Sequence, residues 1–314
     1  MPSTTAIELD GQYRALRESA GVVIRNRRMI AVTGTEAAEY LQGQLTNEIE
    51  ALGAGEGCYA ALLDRKGHMQ GDMRVLRFDD AIRLDFEPVA GDAVLRHLSM
   101  YKVGRDVAVE EITDELAVLS VIGPAATELA IAGPLAPEHT HRQVELGALT
   151  ATAVATDGGV DLLVEASDAG AACETLAERG AEAVSDAAAE IVRVEGGRPR
   201  YGWEMTSATL PAEAGINERA VSFTKGCYIG QETVARLHYK GKPNRGLRGL
   251  KLAAPARAGD PIRLGERELG SVGTAVISPA RGPIGLAIVR REAEPGARVV
   301  VGDGNEADVV ELPF

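Results

Sequence analysis

Short apolar strands separated by tight turns dominate this sequence, and single helical segments interrupt them. Hairpin turns connect most of the strands, whereas a doubly wound parallel sheet needs a crossover helix between consecutive strands. The pattern occurs twice before residue 242 and therefore predicts two α+β units. No GxGxxG motif follows a strand and no Walker A sequence is present, so we do not expect a nucleotide-binding fold.

The first unit contains an aspartate in an unusual place. Residues 21–32 alternate and predict two short strands paired with one another. Residues 58–63 and 68–76 flank a turn sequence and predict a hairpin. Asp72 lies within the second hairpin strand, where aspartate is disfavoured, and Gly71 leaves space beside it. The carboxylate of Asp72 either faces solvent or points into a pocket.

The last part of the chain has a different character. Residues 246–314 contain short β runs separated by Gly, Pro and Asp, a spacing that predicts a small antiparallel barrel or sandwich. A boundary near Lys242 fits both the following proline and a change in charge. We therefore divide the chain into segments 1–115, 116–242 and 243–314.

Charge and cysteine usage narrow the expected partners and compartment. A formal net charge of −13 repels nucleic-acid phosphates and anionic membranes, so neither is expected as a primary partner. No apolar run is long enough to span a bilayer, and the N-terminus does not resemble a signal peptide. Three scattered cysteines without a CxxC pair indicate neither a disulfide framework nor a zinc site. We expect a cytoplasmic protein with reduced thiols.

One polar motif does not fit the hydrophobic pattern. It combines a cation, a thiol, a phenol, an amide and a carboxylate around two glycines that are expected to shape a corner before a helix. The neighbouring lysine and the amides of a helix start favour a thiolate, and the glutamate opposes it. The alternative for the cysteine is a packing role in a tight corner. The residues of this motif are Lys225, Gly226, Cys227, Tyr228, Gly230, Gln231 and Glu232.

Two further features carry charge. Glu195 ends an apolar run and precedes two glycines, and nearby arginines offer it partners if it is buried. Arg236 begins a basic segment that continues to Arg248 in an otherwise acidic chain. This segment is either a solvated face or an anion site.

Together these segments resemble the folate-binding YgfZ branch of the glycine-cleavage T-protein (aminomethyltransferase) superfamily. The most specific match is KGCYIGQE at 225–232. The resemblance runs from about residue 21 to about residue 300. The other matching segments are VTGTEAAEYLQGQLTNEI at 32–49, YAALLDRKGHMQGDMRV at 59–75, RVEGGRPRYGWEM at 193–205, LPAEAGI at 210–216, GSVGTAVISP at 270–279 and IGLAIV at 284–289.

The resemblance implies three domains around a central channel, two of them α+β and the third a C-terminal β-barrel. It also implies binding of tetrahydrofolate or a derivative in the first domain. Asp72 then becomes a pocket carboxylate and Glu195 a pterin anchor, with Tyr59 close by. A carboxylate suits a pterin because it accepts both the ring NH and the exocyclic amine. The basic residues from Arg236 onward are implied to meet the anionic glutamate tail.

The chain also departs from the aminomethyltransferases. Their middle domain carries a YTGEDGFE-like segment where this chain reads ATDGGVD at 155–161, and their counterpart of KGCYIGQE has no thiol. The resemblance therefore implies an accessory protein for iron–sulfur cluster assembly or repair, with assembly proteins or client enzymes as partners and Cys227 as its thiol. The alternatives are a tetrahydrofolate-dependent one-carbon transferase that uses Asp72, and a folate sensor without chemistry.

Overall fold

Three β-sheets organise the chain, and the computed structural model describes them within residues 6–314. The strands pair antiparallel throughout the described range, with one short parallel pair as the exception. This α+β architecture confirms the predicted fold class. None of the helices in residues 6–314 is both long enough and apolar enough to cross a membrane.

The first sheet has five strands in the order β3-β4-β5-β2-β6. Along β4, buried positions alternate with half-exposed ones, so one face covers the core and the other faces away from it. The predicted hairpin is confirmed, because β3 pairs with β4 and Ala61 lies opposite Asp72. The elements of this unit are β2 (Arg28–Thr33), α2 (Ala37–Gln44), β3 (Gly57–Leu63), β4 (Met69–Arg77), β5 (Ile82–Phe86), α3 (Gly91–Tyr101) and β6 (Ala108–Glu111).

The second sheet has six strands in the order β11-β1-β7-β10-β9-β8. Its apolar face is covered by α5, through the buried side chains of Ala172 and Leu176. The elements of this unit are α1 (Ala6–Glu18), β1 (Gly21–Arg25), β7 (Leu116–Ile122), α4 (Ala126–Leu129), β8 (His141–Leu146), β9 (Leu149–Thr156), β10 (Gly159–Glu165), α5 (Ala169–Glu178), β11 (Glu182–Ala183) and α6 (Asp186–Glu195).

The expectation that residues 21–32 form two mutually paired strands is wrong. β1 pairs with β7 in the second sheet, whereas β2 pairs with β5 and β6 in the first. The chain passes from one sheet to the other between Arg25 and Arg28. Alternation predicts a strand but not its partner, because the pairing is set by residues far away in sequence. Part of segment 1–115 thus lies in the second sheet, and the three segment boundaries stay a prediction.

The third sheet closes into a small barrel, as the sequence predicts. β12 pairs with both β18 and β16, which joins six strands into a ring, and β15 extends along β16. Two helices precede it, α7 (Asn217–Ala220) and α8 (Gln231–Lys240). Its strands are β12 (Arg245–Leu252), β13 (Pro261–Leu264), β14 (Arg267–Ser271), β15 (Thr274–Ser278), β16 (Gly282–Arg290), β17 (Arg298–Val301) and β18 (Asn305–Val310).

The end of α6 joins the second unit to the barrel. Val194 is fully buried in an apolar cluster with Ile284 and Leu286 of β16. Burying such side chains contributes about 1.5–3 kcal/mol each. This contact fixes the position of the next residue, Glu195, between the two units.

Candidate functional site

A cavity of about 570 Å³ lies where the two α+β sheets, the end of α6 and the C-terminal residues meet. Tyr59 and Asp72 line it from the first sheet, Ser120 and Asp161 from the second, and Glu195 from α6. Pockets that bind small ligands commonly measure about 300–1,000 Å³. The fold therefore brings Tyr59, Asp72 and Glu195, all predicted from sequence, into one cavity of ligand size.

Asp72 presents a carboxylate oxygen without a protein partner. The Tyr59 hydroxyl donates a hydrogen bond of 2.6 Å to Oδ2, while Oδ1 is shielded from solvent and has no partner among the described residues. Burial raises the pKa of Asp72 and the Glu87 charge adds to the rise, while the Tyr59 bond and the Arg27 charge oppose it. An acceptor left in this state is costly, so Oδ1 needs a donor that the described residues do not supply.

Gly71 does not leave open space beside Asp72, contrary to the expectation from sequence. A Cβ at Gly71 would lie 3.0 Å from Ala90 Cβ and 3.2 Å from Val94 Cγ2. The glycine therefore lets the N-terminal part of α3 approach β4 closely. Successive residues of a strand face opposite sides, so this contact lies on the core side and Asp72 on the cavity side.

Glu195 differs from Asp72 because protein donors already engage both of its oxygens. Tyr13 Oη lies 3.0 Å from Oε1 and 3.2 Å from Oε2, Arg17 donates to Oε2, and Ser278 Oγ donates to Oε1. These donors come from α1 and from the end of β15. The bonds tie α1, α6 and the barrel together at one wall of the cavity. The role of Glu195 as a pterin anchor stays a prediction.

The cavity is rich in arginine for a protein of net charge −13. Buried carboxylates hold most of these side chains: Arg27 and Arg74 both bind Asp85, which lies behind the wall. Burial alone raises the pKa of Asp85, but the two guanidinium groups outweigh it and lower the pKa to about 2. Six carboxylates also line the cavity. The nine arginines that line it are Arg17, Arg25, Arg27, Arg74, Arg193, Arg198, Arg200, Arg219 and Arg281.

His139 also lines the cavity, and the sequence reasoning missed it. Its side chain is buried, and neither ring nitrogen has a hydrogen-bond partner within residues 6–314. Glu138 Oε1 lies 3.6 Å from Nε2, which is too far for a hydrogen bond. Burial, followed by the charges of Arg74 and Arg219, lowers the pKa of His139 to about 3, so the ring is neutral near pH 7. It lies in a loop without periodicity, and no sequence signal marks it.

The motif lysine has a structural role. Lys225 Nζ donates to the carbonyl oxygens of Gln42, Leu45 and Asn47 at 2.7, 2.8 and 2.7 Å. An ammonium group has three N–H donors, and these three carbonyls use all of them. Burial lowers the pKa of Lys225 to about 8. Lys225 therefore has no N–H left for Cys227, and a direct hydrogen bond from Lys225 does not favour a thiolate there.

The motif corner rests on the β3–β4 hairpin. Gly230 has a φ of 84°, and a Cβ there would lie 2.5 Å from the carbonyl oxygen of Asp64, so only glycine fits. Gly226 has open space around its Cβ position, so the expectation that it shapes the corner is wrong in steric terms. Tyr228 is buried, with Lys225 Nζ 5.3 Å from its ring centroid.

The remaining motif residues lie outside the cavity lining. Cys227 is exposed in the loop before α8, and its thiol is free. Gln231 begins α8, where Glu232 is exposed in the first turn. Arg236 is exposed farther along α8 and does not line the cavity, so its contact with a folate tail stays a prediction. The structure thus separates the thiol from the carboxylates.

Comparisons with known proteins agree with this architecture. The family model described as the GCVT N-terminal domain matches residues 6–225. An aminomethyltransferase of Corynebacterium aurimucosum is 30% identical over 345 residues, covering 100% of this chain and 91% of that protein. An aminomethyltransferase of Rubrobacter xylanophilus is 28% identical, covering 98% and 86%. A putative chloroplastic transferase of Arabidopsis thaliana is 27% identical, covering 91% and 68%.

A solved structure supports the fold. The crystal structure of the glycine cleavage system aminomethyltransferase T from Bartonella henselae aligns with a TM-score of 0.86. The alignment covers 100% of this chain and 91% of the other, at 24% sequence identity. At this identity the match establishes the arrangement of the two α+β units and the barrel.

Proposed function

This chain belongs to the GCVT N-terminal domain family, and on that premise we propose that its central cavity binds tetrahydrofolate or a derivative. The observation that carries the proposal is Asp72, which lines a cavity of about 570 Å³ and whose buried Oδ1 has no partner in the part of the chain that the structure describes. A pterin ring offers adjacent N–H donors, which are the groups that such an oxygen needs.

The other groups of the cavity fit the same ligand. Tyr59 holds Oδ2 of Asp72 and so fixes the orientation of the carboxylate toward the ligand. Arg281 is exposed at the cavity and forms no ion pair within the described part of the chain. It is available to the anionic glutamate tail of a folate. The proposed ligand therefore meets a carboxylate at its donor-rich ring and a guanidinium at its acidic end.

We further propose, as the finer assignment, a YgfZ-type accessory protein for iron–sulfur cluster assembly or repair. Its support is the motif around Cys227, an exposed free thiol on a corner that Gly230 fixes. A cluster needs about four ligands, and residues 6–314 hold no group of three potential metal ligands. Cys227 would therefore act with thiols of an assembly protein or client enzyme, or as a redox group.

A one-carbon transferase is the second candidate function. The names of the relatives that match nearly the whole chain favour it, and so does Asp72, whose raised pKa suits a group that holds or moves a proton. In that function Asp72 orients the folate and the amine donor, while Cys227 has no part in the reaction.

Two assays on the same variants separate these functions. In a strain that lacks its own homologue, the accessory function predicts that wild-type protein restores iron–sulfur enzyme activities and Cys227→Ala does not. The transferase function predicts turnover of tetrahydrofolate with methylamine donors that Asp72→Asn abolishes and Cys227→Ala leaves unchanged. Cys173→Ala serves as the control, because it removes a thiol outside the motif. Full complementation by Cys227→Ala contradicts the accessory function.

A further inference from the structure

We propose that His139 is a specificity-determining ligand contact, which recognises a neutral hydrogen-bonding group of the folate in the central cavity. The inference rests on the proposed function and adds a residue to it. His139 lines the cavity, and both of its ring nitrogens are buried without a partner in the described chain. A buried polar group without a partner destabilises a protein, so a ligand that supplies both partners gains binding energy at this position.

The backbone holds the imidazole in place. His139 has a φ of 73°, which is uncommon for any residue other than glycine, and its N–H donates to Ala155 O at 2.9 Å. Gly57 of β3 makes this possible, because a Cβ there would lie 2.8 Å from His139 O and 3.0 Å from His139 Cβ. Residues in sparsely populated backbone regions often occur at ligand sites. Here the residue held in this conformation lines the cavity between the two sheets.

The charges around His139 select for a neutral ligand group. The positive charges of Arg74 and Arg219 lower the pKa of the imidazole. The negative charges of Asp157 and Asp161 raise it. A neutral imidazole has one donor and one acceptor, and it exchanges them by changing tautomer. It therefore suits a carbonyl or N–H edge of a reduced pterin, while Asp72 takes the adjacent donors. His139 and Asp72 thus contact different edges of the same pterin ring.

The test uses His139→Gly, which fits the positive φ and removes the whole side chain. We expect it to weaken tetrahydrofolate binding at least tenfold in anaerobic calorimetry and to regain affinity when millimolar imidazole is added. His68→Leu is the matched control, since it removes an imidazole outside the cavity lining and leaves affinity unchanged. In the unaltered protein, the ¹⁵N resonances of His139 should shift on adding tetrahydrofolate, which tests the contact even if the variant misfolds.

The outcomes separate this inference from the proposed function. If wild-type protein does not bind tetrahydrofolate, both are overturned. If it binds, but His139→Gly retains wild-type affinity and the His139 resonances do not move, only the role of His139 is overturned.

Discussion

The hydroxyl of Tyr59 donates to Asp72 Oδ2 at 2.6 Å, while Oδ1 of the same cavity-lining residue has no partner among residues 6–314. The two residues lie on neighbouring strands, β3 and β4, so the sheet itself sets their spacing. One oxygen is therefore fixed by a protein donor and the other is not. This asymmetry distinguishes Asp72 from Glu195, whose two oxygens both have protein donors.

Replacing Tyr59 with Phe should shift the pH dependence of folate binding. The hydrogen bond from Tyr59 lowers the pKa of Asp72 against the effect of burial, so its loss raises that pKa further. If the ionised carboxylate is the form that binds, the acid limb of the affinity profile moves to higher pH. Calorimetric titrations between pH 5 and pH 8 measure this. An unchanged profile would show that Asp72 ionisation does not control binding.

Replacing Glu195 with Gln should reduce stability. Breaking a buried ion pair costs about 3–5 kcal/mol, but Arg17 is 44% exposed and solvent screens it, so we expect about 2 kcal/mol. Urea unfolding measures the loss, with the exposed Glu174→Gln as the control. A stability equal to wild type, combined with lost folate affinity, would identify Glu195 as a pterin anchor.

His139 should make the fold sensitive to acid. Its pKa is about 3 in the folded protein and about 6.5 when unfolded, so only the unfolded chain takes up this proton as pH falls through that window. Stability is therefore lost by about 1.4 kcal/mol per pH unit below about pH 6.5. His139→Asn, which tolerates a positive φ, lacks this loss. Parallel stability curves for both proteins from pH 7 to pH 5 would show that His139 does not cause the loss of stability in acid.

Substitutions of Lys225 and of Cys227 should change stability by different amounts, although both residues belong to the same motif. Lys225→Met removes the donor to three carbonyls in the last turn of α2 and just after it, and should cost about 2 kcal/mol in urea unfolding. Cys227→Ala changes an exposed side chain and should stay within about 0.5 kcal/mol of wild type. A large destabilisation by Cys227→Ala would favour the packing role of this cysteine.

The sequence predicts the architecture well where an element depends on residues that are close together in the chain. Alternation and turn residues identify the β3–β4 hairpin and the short strands of the barrel, because these signals lie in neighbouring residues. The pairing of β1 and β2 fails because their partners lie in different sheets. The expectation of open space beside Gly71 fails for a similar reason, since the side chains that require a glycine there come from the region of α3.

The site was predictable only in part. The sequence pattern marks Asp72 and Glu195 as unusual, the resemblance adds Tyr59 and implies a pocket for all three, and the cavity contains them. Which carboxylate is free could not be read from sequence, because the donors to Glu195 come from α1 and β15. The role of Lys225 and the burial of His139 likewise depend on contacts between distant segments. The sequence indicates which residues carry functional side chains, but it does not indicate the hydrogen-bond partners of those side chains.

The most direct test of the central claim is anaerobic calorimetry of tetrahydrofolate with wild-type protein, Asp72→Asn and Asp80→Asn. An amide at residue 72 places donors against the donors of the pterin, whereas Asp80 is exposed away from the cavity. We predict binding by wild-type protein and Asp80→Asn, with affinity at least tenfold lower for Asp72→Asn at unchanged unfolding midpoint. No binding by wild-type protein, or equal affinities for all three proteins, would contradict the account.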